Sequence, residues 1–150
     1  MTVYLLSGKD MYRQEERLAT LLKEFSIGKD YVTTFDASNG KAFRFDEALV
    51  ACDTFSLFDD SAKKAIIIKE PYFLRAAVKT SKKESEKQEA EKEQRLKLLE
   101  AYLKNPNPNT LLVFYCHTFS ADTRKKEYKL LTTYDARIVK FELMKPWEFE

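Results

Sequence analysis

The chain holds 150 residues, a length that suits one compact domain. Its 26 Lys and Arg nearly balance its 24 Asp and Glu, and a net charge of +2 gives no reason to expect tight charge-driven binding to DNA or acidic lipid. An apolar fraction of 44% is enough for a core and excludes wholesale disorder.

Val3-Tyr4-Leu5-Leu6 is a short apolar run stopped by Ser7-Gly8, and it reads as a buried strand. It is too short for the core of a secretory leader. Asp10 offers a cap for a helix on which Leu18, Leu21, Leu22 and Phe25 share one face, with Gly28 as its stop. Tyr31-Val32-Thr33-Thr34-Phe35 is β-branched and aromatic, as a strand would be. A second helix is expected within Lys41 to Asp53, its buried row being Ala42, Phe45, Leu49 and Cys52.

Ala65-Ile66-Ile67-Ile68 has no polar alternation, which suits a strand covered on both faces. Residues 79–97 interrupt the rhythm with Lys, Glu, Ser and Gln. They read as a charged insertion without an apolar stripe until Leu96, Leu98 and Leu99, a linker maturing into a solvated helix rather than a nucleic-acid tail, since acids interleave throughout. Asn105-Pro106-Asn107-Pro108-Asn109 ends that helix. Leu111 to Cys116 repeats the signature of a doubly covered strand, Thr123 to Tyr134 is helix-prone, and Arg137 to Phe141 closes the series as a fifth strand. Alternating strands and helices predict a three-layer α/β domain around a five-stranded, mainly parallel sheet. Pro146-Trp147 then reads as the start of a new helix, so residues 1–143 are expected to form one domain and 144–150 the truncated beginning of the next.

Several chemistries are excluded by scarcity. Five positions beyond Gly8, Gly28 and Gly40 stand Arg13, Thr33 and Phe45, so no phosphate-cradling loop can be written, nor any G-x-G-x-x-G. After the third strand comes Lys69, a cation where a magnesium site would need an acid, and Glu70 reads as a surface carboxylate. One histidine and two distant cysteines leave no zinc-ligand spacing. Adjacent Cys116 and His117 would point to opposite faces of an extended segment, so they do not read as a nucleophile and its base. No cofactor or metal is expected. Two cysteines without a leader read as reduced thiols, and no apolar run approaches the roughly 20 residues of a membrane helix, so a cytoplasmic protein without membrane contact is expected.

Asp53-Thr54-Phe55-Ser56-Leu57-Phe58-Asp59-Asp60 carries more information. Leu57 and Phe58 lie off the buried row of the preceding helix and are followed by acids. On the residues alone two readings stay open: the pair folds back over the sheet edge, or it protrudes to fill a partner's pocket. Arg124, Lys125, Lys126 and Lys129 near one helix start suggest either a solvated face or weak DNA contact.

Four stretches in this order and spacing carry a resemblance to a known family. They are Val3-Tyr4-Leu5-Leu6-Ser7-Gly8-Lys9-Asp10 with Glu15-Glu16, Ser56-Leu57-Phe58 before a hydrophobic strand, Tyr102-Leu103 through Asn105-Pro106, Pro108 and Thr110-Leu111-Leu112-Val113, and Lys145-Pro146-Trp147-Glu148. The chain resembles the N-terminal domain of the delta subunit of the bacterial DNA polymerase III clamp loader. The charged insertion departs from that pattern. The resemblance implies an AAA+-type fold that neither binds nor hydrolyses ATP, and a domain that engages the sliding clamp (beta subunit) and helps open the ring for loading onto primed DNA in chromosomal replication. It implies that Leu57 and Phe58 enter a hydrophobic pocket on the clamp. Thr54, Ser56, Asp59 and the Lys41–Asp53 helix are the neighbours expected to help. It further implies a lid domain and an oligomerising collar in the C-terminal part, through which other loader subunits would be met. No catalysis is expected of the chain itself, and any DNA-directed DNA polymerase (nucleotidyltransferase) activity would belong to the holoenzyme. An active AAA+ nucleotide hydrolase and a generic α/β interaction adaptor are the alternatives.

Overall fold

A computed structural model describes residues 2–8, 10–38, 43–53, 63–75, 82–116 and 119–141. Five strands alternate with four helices: β1 (Val3–Gly8), α1 (Met11–Glu24), β2 (Val32–Asp36), α2 (Phe45–Asp53), β3 (Lys64–Lys69), α3 (Lys82–Lys104), β4 (Thr110–Cys116), α4 (Lys126–Thr133) and β5 (Arg137–Phe141). The strands lie in the order β2-β3-β4-β1-β5, and every pairing is parallel. The three-layer expectation is met, and the sheet is wholly parallel where a mainly parallel one was expected.

The continuous apolar runs explain the centre of the sheet. Every residue of β1 and β4 is buried, as a strand covered above and below requires. Alternate side chains feed two cores. Tyr4 and Leu6 meet Leu21 on the face covered by α1, whereas Val3 and Leu5 join Phe45, Leu49, Leu99, Leu103 and Leu131 beneath α2, α3 and α4.

Three local expectations are corrected. Gly28 does not stop α1. The helix closes in a Schellman arrangement, with Ile27 N–H donating to the Leu22 carbonyl at 2.9 Å and Ser26 N–H to the Lys23 carbonyl at 3.0 Å. Ser26, not a glycine, takes the left-handed conformation, at φ 57°. Ile27 and Leu22 both pack against the same apolar cluster.

The charged stretch at 79–97 is helical from Lys82 onward, where a linker maturing into a helix was expected (residues 79–81 lie outside the described residues). Arg95 ties it to the fold. Arg95 donates from Nε and Nη2 to Glu127 Oε1 at 3.3 and 3.2 Å and from Nη1 to the Tyr72 hydroxyl at 3.0 Å, and its guanidinium lies over the Tyr72 and Phe73 rings.

Glu70 is not a surface carboxylate, being only 8% exposed. It turns the chain at φ 54° while its N–H donates to the Tyr115 carbonyl at 2.8 Å, and Pro71 then leads Phe73 and Leu74 into the core. The domain boundary expected at 143–144 and the Lys145-Pro146-Trp147 stretch lie outside the described residues. Among those described, no helix is long and apolar enough to cross a membrane.

Candidate functional site

In open parallel α/β sheets ligands gather at the carboxyl ends of the strands, where nucleotide would have to bind. Here only residues 9 and 10 separate β1 from α1. Asp10 caps the helix as expected, its carboxylate accepting from Arg13 N–H at 3.1 Å. The peptide of Gly8 is committed to protein partners. At φ 139° it lies so close to β5 that a Cβ would sit 1.8 Å from the Phe141 carbonyl oxygen. The fully buried Gln14 donates from Nε2 to the Gly8 carbonyl at 2.7 Å. A phosphate-binding loop needs a run of free backbone N–H groups curled around an anion, and two intervening residues cannot supply one.

Beside this junction Ser7 Oγ accepts from Ala121 N–H at 2.8 Å. Ser7, Thr123, Tyr128 and Lys140 bound a cavity of about 120 Å³, well under the roughly 300 Å³ at which small-molecule pockets begin. Cys116 is buried, and burial followed by the nearby Glu70 charge pushes its thiol well above the ordinary cysteine range, so it is no ready nucleophile. His117 lies outside the described residues.

The opposite, amino edge is where α2 ends and β3 begins, and the stretch 54–62 lies between them. The residues expected to bind a partner, Thr54, Ser56, Leu57, Phe58 and Asp59, fall there and are outside the described residues, as is the 41–42 start expected for the preceding helix. The helix itself runs from Phe45 to Asp53, and Phe45, Leu49 and Cys52 are buried in the order its spacing indicates. Its closing carbonyls have no partners within the helix. One is taken up from far along the chain: the Cys52 carbonyl accepts from Asn107 Nδ2 at 3.0 Å and from Thr110 Oγ1 at 2.7 Å.

Asn107 also shapes its own turn, since its Oδ1 accepts from Asn109 N–H at 2.9 Å and its carbonyl from Thr110 N–H at 3.1 Å. The Asn109 carbonyl in turn accepts from Lys64 N–H at 2.9 Å. Asn107 and Thr110 are both buried. Sequence reasoning took this stretch only as a helix terminator. Nothing local marks its second role, because its partners lie 55 and 58 residues away.

The four cations singled out from sequence are not equivalent. Arg124 makes a two-point pair with Asp122, Nε to Oδ1 and Nη2 to Oδ2 at 3.1 Å each, and that pair holds the Asp122 carboxyl below the usual range. Lys126 and Lys129 stand on α4 and, with Lys97 of α3, border a shallow groove floored by Leu96 and Leu130.

Among solved structures the chain is similar to the Bacillus subtilis DNA clamp loader delta protein (YqeN). The TM-score is 0.70 at 24% identity, over 99% of this chain and 40% of that one. At that identity the likeness speaks for the fold, and the chain spans less than half the length of this relative. No curated protein matches significantly. The family model described as DNA polymerase III, delta subunit matches residues 4–142, from the second residue of β1 to just beyond β5. With nearly every element inside that match, the chain belongs to the DNA polymerase III delta-subunit family, in agreement with the resemblance seen in its N-terminal-domain motifs.

Proposed function

We propose that this chain is the clamp-engaging domain of a clamp loader, binding a sliding clamp and helping to open the ring without hydrolysing ATP itself. The observation that carries this reading is the delta-subunit match across residues 4–142. The absence of ATPase activity is supported by the β1–α1 junction, where the Gly8 carbonyl is occupied by Gln14 and a Cβ at Gly8 would strike Phe141.

Leu57 and Phe58 are assigned as the anchor, with Thr54, Ser56 and Asp59 as polar support. Burying one Leu and one Phe contributes roughly 3–6 kcal/mol, against an association cost estimated at about 4–15 kcal/mol. The pair therefore anchors but does not suffice, and contacts from α2 and its surroundings must add to it. A partner shifts a ring between closed and open states only by its differential affinity for the two. The anchor holds the clamp, and the surrounding surface favours the relaxed interface. ATP then acts through other subunits, met through the remainder of a longer chain. Any DNA contact within the loader falls to Lys125, Lys126 and Lys129, since Arg124 is tied to Asp122.

Co-elution with the beta clamp tests the binding role, and calorimetry with Mg-ATP tests the rest. A stable complex with the clamp and no heat with Mg-ATP are expected. A folded protein that ignores the clamp, or that binds Mg-ATP, overturns the reading.

A further inference from the structure

Helices α3 and α4 precede β4 and β5 in a wholly parallel sheet, so both run back from its carboxyl edge to its amino edge and lie side by side. One row of α4 turns inward, with Glu127 and Leu131 buried. The neighbouring row, Lys126, Lys129 and Leu130, lines an open groove of about 360 Å³ together with Leu96, Lys97 and Glu100 of α3. That volume exceeds the roughly 300 Å³ at which small-molecule pockets begin. Leu96 and Leu130 make the floor apolar, and the rim is cationic. Three acids close by are committed elsewhere: Glu127 to Arg95, Glu100 to Lys104 and Asp122 to Arg124. Lys97, Lys126 and Lys129 have no ion-pair partner among the described residues. Three free cations therefore gather at one groove in a chain whose net charge is only +2.

Two of these cations stand where helix electrostatics disfavours them. Lys125 is the N-cap residue of α4, without a side-chain cap, and Lys126 is its first residue, so positive charge meets the positive end of the helix dipole. Lys126 and Lys129 are also like charges one turn apart, which destabilises a helix. An anionic partner would offset both costs. We propose that the α3–α4 groove docks an acidic protein segment carrying a bulky apolar side chain. The apolar group fills the floor over Leu96 and Leu130, and its flanking carboxylates meet Lys97, Lys126 and Lys129. An apolar anchor ringed by polar contacts is how a small interface concentrates its energy. A nucleic-acid strand would meet the same lysines through its phosphates, but its bases stack on aromatic rings, and none lines this groove among the described residues. The proposal stands on α3 and α4 alone and does not rest on the clamp-binding reading.

The test titrates the full-length delta subunit into a fluorescein-labelled peptide in which two adjacent leucines are set among aspartates and glutamates, and reads fluorescence anisotropy. An all-acidic peptide of equal length and charge and a labelled oligothymidylate serve as the other probes. The leucine-bearing peptide is expected to bind about tenfold or more tightly than the all-acidic one, as burial of a leucine implies. Lys126→Gln and Lys129→Gln should each weaken it about two- to fivefold, as loss of an exposed ion pair does. Lys97→Gln, Lys126→Gln and Lys129→Gln together should weaken it about tenfold or more. Leu96→Ser should narrow the difference between the two peptides. Lys23→Gln, on α1 across the sheet, should change nothing. Added salt should weaken the leucine-bearing peptide without abolishing its binding.

The three lysines are exposed, and neutralising them relieves repulsion at α4. The urea midpoint of the lysine variants should therefore stay level or rise, so that lost binding reports on the groove and not on the fold. A folded protein that ignores the leucine-bearing peptide overturns the proposal, whether the groove is empty or filled by another part of the longer chain. Equal affinity for the all-acidic peptide overturns it as well, leaving a plain charged face. So does an oligothymidylate that binds more tightly than the peptide and is lost with the same three lysines, which would make the groove a nucleic-acid surface.

Discussion

Arg95 and Glu127 form the most heavily buried ion pair among the described residues, their side chains being 11% and 0% exposed. Arg95 supplies two donors to one carboxylate oxygen and a third to Tyr72, while Glu127 Oε2 has no hydrogen-bond partner. A buried charge stripped of its partner costs far more than the pair contributes. Arg95→Met is therefore expected to destabilise the fold by about 3–5 kcal/mol, and Arg95→Met with Glu127→Leu by clearly less. Urea denaturation of the single and double variants measures this. Tyr115 provides a second check at the same scale. Burial, then the charges of Glu15 and Glu70, push its phenol up from 10.0 to about 12. Between those values the unfolded chain has lost this proton and the folded one keeps it, so stability must fall as pH rises through that window. The urea midpoint should decline from about pH 10 upward, and Tyr115→Phe should flatten the decline.

Two helices end on residues that strain the backbone. Ser26 after α1 and Asp135 after α4 stand at φ 57° and 60°, each followed by an apolar residue, Ile27 or Ala136, whose N–H closes back on Leu22 or Leu131. Outside glycine such a conformation costs about 1–2 kcal/mol. Ser26→Gly and Asp135→Gly are each expected to raise stability by about 0.5–1 kcal/mol, after the glycine's own entropy in the unfolded chain is counted. Thermal unfolding of the two variants and of their combination would show it. These ends also mark the limit of what could be read from the sequence. The unbroken apolar runs of β3 and β4 announce themselves, and so does the Asp10 cap. Gly28 looks like a stop because glycine ordinarily is one, yet Ser26 and Ile27 close the helix sooner with a Schellman turn. The tie of α3 to the fold was hidden for another reason, since Arg95 meets Glu127, 32 residues further along the chain.

Across the whole molecule, the two edges of the sheet are built differently. At the carboxyl edge Gly8, Gln14 and Phe141 pack closely at the β1–α1 junction. At the amino edge the Asn107–Thr110 turn bonds to the Cys52 carbonyl near the end of α2 and to Lys64 N–H at the start of β3. The attachment proposed for residues 54–62 rests on the Ser-Leu-Phe motif alone, because two adjacent apolar residues near acids suit a covering segment as well as a protruding one. The long-range role of the Asn107–Thr110 turn was not legible at all, for its hydrogen bonds join residues more than 50 positions apart. The most direct measurement is the equilibrium affinity of the full-length delta subunit for its beta clamp, with and without Leu57→Ala and Phe58→Ala together. Losing the anchor should weaken binding by about 100-fold or more, as burial of two large apolar side chains implies. A folded double variant that holds the clamp as tightly as the unaltered protein would contradict the proposed attachment.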